Sequence, residues 1–236
     1  MENYNEFLSR IGEFQLPDMD LGKNYFKGRP SLADKIGEDN KLRDFYGDTV
    51  VFELDEATKS IIGGMVDEIY SSAGACFSER LRTDTLHMTL HDLSNSPNYE
   101  AIKGEMVENQ AKIQGITKKF GNHIIRMKSS FIFNMVNTSL VMGLVPVNED
   151  EHEKLMTLYG LVDKIKRAEY PLTPHITLGY YNVHGFENAA AKRLENIVGQ
   201  LNRREQIEIV LDTKRLYYQK FTSMNSYENV ISLGEE

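Results

Sequence analysis

The chain has 236 residues, and its balance of 41% hydrophobic and 26% charged residues is typical of a folded globular protein rather than a disordered one. No apolar run approaches the roughly 18 residues that a membrane-spanning helix needs. Cys76 is the only cysteine, so an internal disulfide framework is excluded. We therefore expect a cytoplasmic protein without a membrane segment. The net charge of −8 argues against binding to an extended nucleic-acid duplex, because such binding depends on basic groups that neutralise phosphates.

Residues 1–46 carry turn formers without sustained periodicity and are predicted to form an N-terminal extension or arm, with a short helix from Tyr4 to Phe14. Residues 47–236 are predicted to form the main domain. Its predicted strands are rich in β-branched and aromatic residues or alternate apolar and polar ones; they are 49–54, 85–93, 123–135, 139–145, 175–181, 206–211, 215–221 and 227–233. Its predicted helices have apolar residues at helical spacing; they are a stretch capped by Asp55 that includes 61–70, then 99–113, 149–166 and 186–203. This order of elements resembles two related halves.

One short pattern occurs in both halves. The first tetrad is His-Met-Thr-Leu at residues 87–90, and the second tetrad is His-Ile-Thr-Leu at residues 175–178. Strand side chains alternate between two faces, so each histidine points the same way as the threonine two residues later, while the apolar residues point into a core. Each half therefore presents an imidazole beside a hydroxyl.

Two such pairs on opposite walls of a cleft suit phosphoryl transfer. A neutral imidazole accepts a proton from water, a protonated one gives a proton to the leaving oxygen, and histidine serves in both roles because its ordinary pKa is about 6.5. The threonine hydroxyls can donate hydrogen bonds to phosphate oxygens as charge builds on them. A histidine in a single tetrad is explained as well by packing in the core, but the repetition in matching strands favours a site that needs no metal or cofactor.

The two tetrads resemble the signature of the 2H phosphoesterase superfamily, which includes RNA-ligase-like 2′,3′-cyclic phosphodiesterases. The segment 47–54 is most similar to an uncharacterised branch of that superfamily, and the resemblance extends from about residue 47 to the C-terminus. It implies an α+β, bilobal and pseudo-symmetric fold, with two antiparallel sheets, outer helices and a central cleft. It also implies that His87 and His175 are catalytic and that Thr89 and Thr177 bind phosphate.

The resemblance implies a metal-independent phosphodiesterase without a cofactor. Its substrate would be a small nucleotide or an RNA terminus, either a cyclic phosphate or a short oligonucleotide linkage. We expect His175 to act as base and His87 as acid. Two alternatives stay open: a non-catalytic module that binds a nucleotide or RNA end in the same cleft, and a metal hydrolase using His87, His91, Asp92 and His175.

Three further residues are predicted to extend the site. His91 follows the first tetrad and, by strand alternation, shares the face of its histidine; the matching position after the second tetrad is Gly179. By the same alternation Tyr181 shares the face of the second tetrad and is placed to stack on a base, while Tyr180 faces away. Lys128, in a predicted central strand, is a source of positive charge for the cleft. For each of these residues the alternative is an ordinary rim, packing or solvated position.

Overall fold

The computed structural model describes residues 2–15 and 25–234. Within these ranges the chain forms five α-helices and ten strands, and all strand pairings are antiparallel. The helices are α1 (Tyr4–Gly12), α2 (Glu56–Ala73), α3 (Tyr99–Gln114), α4 (Glu149–Asp163) and α5 (Asn188–Leu201). The strands are β1 (Tyr25–Phe26), β2 (Tyr46–Glu53), β3 (His87–Ser96), β4 (Ile124–Met135), β5 (Ser139–Pro146), β6 (His175–Tyr180), β7 (Phe186–Glu187), β8 (Glu208–Asp212), β9 (Leu216–Ser223) and β10 (Ser226–Ser232). None of the helices in this part of the chain is long and apolar enough to cross a membrane.

The strands build two four-stranded sheets and a small ribbon. The first sheet has the order β10-β9-β2-β3, the second has the order β6-β5-β4-β8, and β1 pairs with β7. Strands β3 and β6 are edge strands, and they contact each other where the two sheets meet. Helix α3 packs on β2 and β3, and α4 packs on β4 and β5. The predicted α+β fold, with two antiparallel sheets and outer helices around a cleft, is confirmed.

Helix α2 begins at the cap that the sequence predicts. The Asp55 carboxylate accepts one hydrogen bond from the Thr58 backbone N–H and another from the Thr58 hydroxyl, each at 2.8 Å. A cap of this kind stabilises a helix by about 1 kcal/mol. Ile62, Val66 and Ile69 are buried on the inner face of the helix, which packs against α5. The helix that follows β2 is thereby fixed to the core.

The N-terminal segment packs onto the rest of the chain. Helix α1 lies within the predicted range 4–14, and its Phe7 and Ile11 are buried against Phe133 and Val141 of the second sheet. Four residues between 25 and 46 belong to the main hydrophobic core, namely Phe26, Leu32, Ile36 and Phe45. The segment before residue 47 thus shares a core with the residues after it, and the domain boundary at residue 47 stays a prediction.

The last helix begins later than the sequence predicts. The stretch from Phe186 is predicted as helical throughout, but Phe186 and Glu187 form β7 by pairing with Tyr25 and Phe26, and the helix begins at Asn188. The partner strand lies far away in the sequence, so local periodicity carries no sign of this pairing.

Candidate active site

The two tetrads lie on β3 and β6, the edge strands through which the two sheets contact each other. His87 and Thr89 in β3, like His175 and Thr177 in β6, are half-buried, whereas the apolar residues between and after them are buried. The alternation predicted within each tetrad is therefore present. We call the space that these four side chains face the cleft.

The two imidazoles lie within electrostatic reach of each other and of one carboxylate. Burial lowers the pKa of His87, and the charge that His175 carries when protonated lowers it further. Burial also lowers the pKa of His175. The carboxylate of Asp92 opposes both effects, because its negative charge raises the pKa of each ring. Both rings therefore experience the charge of the same carboxylate, and their catalytic roles stay a prediction.

Each imidazole is held in the same way. His87 Nδ1 lies 2.7 Å from the carbonyl oxygen of Thr85, and His175 Nδ1 lies 2.7 Å from the carbonyl oxygen of Thr173. A carbonyl oxygen only accepts hydrogen bonds, so Nδ1 carries the hydrogen in the neutral ring and Nε2 keeps its lone pair. The repeated motif is therefore longer than the tetrad: it reads Thr-x-His-x-Thr-Leu in both halves, and this signal is visible in the sequence.

A β-bulge follows each tetrad at the same point. The pairing of β2 with β3 passes from Thr89 to His91 and skips Leu90. The pairing of β5 with β6 passes from Thr177 to Gly179 and skips Leu178. A bulge places an extra residue in one strand and so shifts the alternation of its side chains by one. Predictions of which way a side chain points are therefore wrong for residues beyond the bulge, where simple alternation no longer holds.

His91 shows the consequence in the first half. It pairs with Val50, on the face opposite Thr89, and is buried there. Its Nε2 lies 3.2 Å from Asp163 Oδ1, and its ring stacks on Tyr159 with centroids 5.1 Å apart. His91 thus fastens β3 to the end of α4 and does not share the face of the tetrad as predicted.

Tyr181 shows the consequence of the bulge in the second half. It is completely buried among aromatic rings, with centroid distances of 4.8 Å to Phe26, 5.7 Å to Phe77 and 5.8 Å to Phe186. A ring enclosed in this way is not open to stack on a base. Tyr180 pairs with Ser139 on the side of the tetrad instead, so the predicted orientations of the two tyrosines are exchanged.

Gly179 serves packing rather than the approach of a substrate. The bulge turns it away from the cleft, and a Cβ atom at this position would lie 2.7 Å from the Tyr70 hydroxyl and 3.2 Å from the Phe77 ring. Only glycine lets β6 come this close to those side chains.

Positive charge reaches the cleft from the N-terminal segment. Lys128 of β4 pairs with Val145 of β5 and Glu208 of β8, and β5 lies between β4 and β6, so a role of Lys128 in the cleft stays a prediction. Lys35 lies over the Tyr180 ring, with its Nζ 5.1 Å from the ring centre, and its charge lowers the pKa of His175. Lys35 belongs to the segment that the sequence presents as an arm, so its role is not apparent from local pattern.

Asp92 takes the position that His91 is predicted to occupy. It pairs with Thr49 on the cleft side, and its carboxylate lies 3.4 Å from the hydroxyls of both Thr49 and Tyr170. The negative charge of Asp92 is the main reason why the pKa of Tyr170 is raised to about 12. The set His87, His91, Asp92 and His175 is not assembled for a metal ion, and the described residues contain no group of three or more His, Cys, Asp or Glu that could hold one.

Helix α1 fixes the loop that leads into the second tetrad. The Arg10 guanidinium donates to the Thr173 hydroxyl at 3.1 Å and to the Leu172 carbonyl at 2.9 Å. Glu2 holds the same guanidinium in place with both carboxylate oxygens, each at 2.8 Å. Because Thr173 also provides the carbonyl that orients His175, the N-terminal helix supports the position of this imidazole.

We expect Asp92→Asn to lower the pKa of both His87 and His175, because the substitution removes the negative charge that raises them. NMR titration of the two imidazoles should show both midpoints moving to lower pH. Asp150→Asn, which neutralises an exposed carboxylate on α4, is the matched control and should leave both midpoints in place. Unchanged midpoints in Asp92→Asn would contradict the placement of this carboxylate.

Comparisons with known proteins concern the fold. No protein-family model and no curated protein matches the chain. Among solved structures, a conserved protein of unknown function from Agrobacterium tumefaciens is 14% identical, with 92% of this chain and 99% of that chain covered and a TM-score of 0.72. E. coli LigT complexed with 3′-AMP is 10% identical (79% and 96% covered, TM-score 0.47), and a structure described as a phosphoesterase is 12% identical (78% and 95% covered, TM-score 0.47). At 14% identity and a TM-score of 0.72, the Agrobacterium tumefaciens structure shows a shared fold and nothing about activity.

Proposed function

We propose that this chain is a 2H phosphoesterase: a phosphodiesterase that opens a cyclic phosphate, such as a 2′,3′-cyclic nucleotide or RNA end, or cleaves a short oligonucleotide linkage. The observation that carries the proposal is the equivalence of the two imidazoles. Each is held through Nδ1 by the carbonyl oxygen two residues earlier, at the same distance, on facing edge strands. This leaves both Nε2 atoms for proton transfer, which is what acid and base catalysis at one phosphate requires.

The hydrolysis needs one proton acceptor and one proton donor. In our proposal His175 Nε2 takes a proton from water as the water oxygen bonds to phosphorus. His87, protonated at Nε2, gives its proton to the ester oxygen as the bond from that oxygen to phosphorus breaks. The product is a phosphomonoester and an alcohol, and the enzyme regains its resting state when a proton passes from His175 back to His87 through solvent.

The charges around the two rings support this assignment of roles. Burial lowers the pKa of both rings, and the nearby charges then differ between them. Lys35 lowers the pKa of His175 further, which suits a base, whereas Glu53 opposes the lowering at His87, which suits an acid. A bound phosphate anion raises the pKa of both rings, because it stabilises their positive charge. Substrate binding therefore helps to protonate the acid.

The threonines are placed to stabilise the phosphate. Thr89 and Thr177 lie on the faces of their strands that carry the histidines. A hydroxyl donates a hydrogen bond to a phosphate oxygen, and such donors are worth most where charge accumulates in the transition state. We therefore propose that each threonine binds a non-bridging oxygen of the phosphate that lies between the two imidazoles.

Turnover of a defined panel tests the proposal. Purified protein should hydrolyse at least one member of a set comprising 2′,3′-cyclic mononucleotides, 2′-5′ and 3′-5′ dinucleotides and ADP-ribose cyclic phosphate, and EDTA should not change the rate. Product analysis by chromatography gives the bond that is cleaved. If the protein retains a cyclic nucleotide in equilibrium dialysis but converts none of the panel, it is a binding module and the proposed activity is wrong.

A further inference from the structure

A polar cavity of about 290 Å³ lies beside His87 on the cleft side of the first sheet. Glu53 of β2, Gln219 of β9 and Asn229 of β10 line it from three successive strands. Tyr227 of β10 also lines it, and the ring of Tyr227 meets the His87 imidazole edge-on with centroids 5.0 Å apart. The mechanism above makes no use of this cavity, yet it adjoins the ring that protonates the leaving oxygen.

The three polar side chains form a closed network that fixes the carboxylate. Glu53 Oε1 accepts from Gln219 Nε2 at 3.2 Å and from Asn229 Nδ2 at 2.9 Å. Gln219 Nε2 also donates to Asn229 Oδ1 at 2.6 Å. The amides of Gln219 and Asn229 both bind Glu53 Oε1 and so fix the orientation of the carboxylate. Its other oxygen, Oε2, is thereby preorganised to accept hydrogen bonds.

Two acceptors at this cavity have no donor. Glu53 Oε2 has no hydrogen-bond partner among the described residues. Gln219 is 4% exposed, and its Oε1 is buried without a partner. Buried polar atoms in folded proteins are nearly always paired, so the unpaired Gln219 oxygen requires a reason. A bound group that brings N–H donors would satisfy Glu53 Oε2 directly, and Gln219 Oε1 once its amide turns toward the cavity.

The charge of Glu53 points to the same conclusion. The carboxylate is close enough to His87 to raise its pKa, and therefore lies close to the place where the phosphate binds. A negative charge here repels an anionic substrate. Arg82 also lines the cavity, but its charge is paired with Asp84. Hydrogen bonds from another part of the substrate to the Glu53 carboxylate would offset the repulsion.

We propose that this cavity binds the base of a nucleotide substrate and that Glu53, with Gln219, selects guanine. The proposal rests on the proposed function, since it concerns the same cleft. Among the four common bases only guanine presents two adjacent N–H donors, N1–H and the 2-amino group, on its Watson–Crick edge. Tyr227 supplies an aromatic ring for stacking, which is how proteins commonly hold an unpaired base. The ribose does not offer such a pair of donors, because a 2′,3′-cyclic phosphate esterifies both of its vicinal hydroxyls.

The test compares kcat/KM for the 2′,3′-cyclic phosphates of guanosine, inosine and uridine; inosine lacks only the 2-amino group. The wild-type protein should prefer guanosine to each of the others by at least about tenfold, as expected for a hydrogen bond to a charged acceptor. In Glu53→Gln the preference should fall to within about threefold. The ratio between substrates isolates base selection, because any effect of Glu53 on His87 changes all three rates alike.

Glu228→Gln is the matched control. Glu228 is an exposed carboxylate in β10, between Tyr227 and Asn229, and its removal should leave the preference for guanosine in place. Equal rates on the three substrates in the wild type would overturn the proposal. So would a Glu53→Gln variant that loses the same factor on all three, since Glu53 would then act only on His87.

Binding measurements separate this proposal from the proposed function. Guanosine 3′-monophosphate and uridine 3′-monophosphate are titrated into the wild type and Glu53→Gln by calorimetry. A guanosine preference that depends on Glu53, without turnover of any cyclic phosphate, supports the subsite and overturns the proposed activity. Turnover without any preference among bases supports the activity and overturns the subsite.

Discussion

His87→Ala and His175→Ala should each lower kcat on a 2′,3′-cyclic nucleotide by roughly 10²- to 10⁴-fold, the range that a positioned general acid or base contributes. Each ring is half-buried, and the hydrogen bond that holds it goes to the carbonyl two residues earlier. Its removal opens no large cavity in the core, so thermal unfolding should remain cooperative. Steady-state kinetics on the panel substrate and calorimetric unfolding of the same preparations check both expectations.

A substrate with a different leaving group shows which histidine acts as the acid and which as the base. A nitrophenyl phosphodiester has a leaving oxygen of low basicity that departs without a proton, so His87→Ala should lose far less activity on it than on the cyclic nucleotide. His175→Ala should lose as much on both substrates, because activation of water is needed in each case. The opposite pattern would show that the roles are exchanged.

His123→Ala serves as the control for the loss of an imidazole. His123 is exposed, and it lines a separate surface pocket together with Arg126 and Glu151. Its substitution should leave kcat unchanged. If His87→Ala or His175→Ala kept near-wild-type activity on a substrate that the protein hydrolyses, the two-histidine mechanism would be wrong.

Alternation within a strand was enough to predict which side chains of each tetrad share a face. A histidine and a threonine two residues apart lie on one face of any strand, and the same pattern in two matching strands indicates one site. The prediction fails one residue later, at the bulges after Thr89 and Thr177. A bulge depends on how the neighbouring strand pairs, and a single strand's sequence does not contain that information. His91 and Tyr181 are therefore misplaced by the alternation, and Asp92, named in the sequence analysis only as a candidate metal ligand, is not predicted to face the cleft.

The other missed residues reach the cleft through contacts between distant segments. Lys35 comes from a turn more than a hundred residues before His175, and Arg10 acts from helix α1 through Thr173. Neither residue belongs to a local motif, and both precede the region that the family resemblance covers. Glu53, by contrast, lies in a predicted strand and next to His87 in the pairing of β2 with β3. Glu53 can be connected with the cleft only when the order of the strands in the sheet is known.

Thr89→Val and Thr177→Val should each lower kcat by roughly 10- to 10³-fold, as the loss of one donor to a developing negative charge typically does. Valine has the shape of threonine and suits a strand equally well, so the substitution removes the hydroxyl and little else. Thr→Ser at the same positions keeps the donor and should restore most of the activity. Rates on the panel substrate, with far-UV circular dichroism of each variant, measure the effect.

The double variant Thr89→Val/Thr177→Val shows whether the two hydroxyls act on one phosphate. If both stabilise the same charge, the combined loss differs from the product of the two single losses, because each donor is worth more or less once the other has gone. If the two losses simply multiply, the hydroxyls act independently. Should the valine variants and the serine variants lose the same modest factor, the threonines contribute packing beside the imidazoles, and binding of the phosphate must come from other donors.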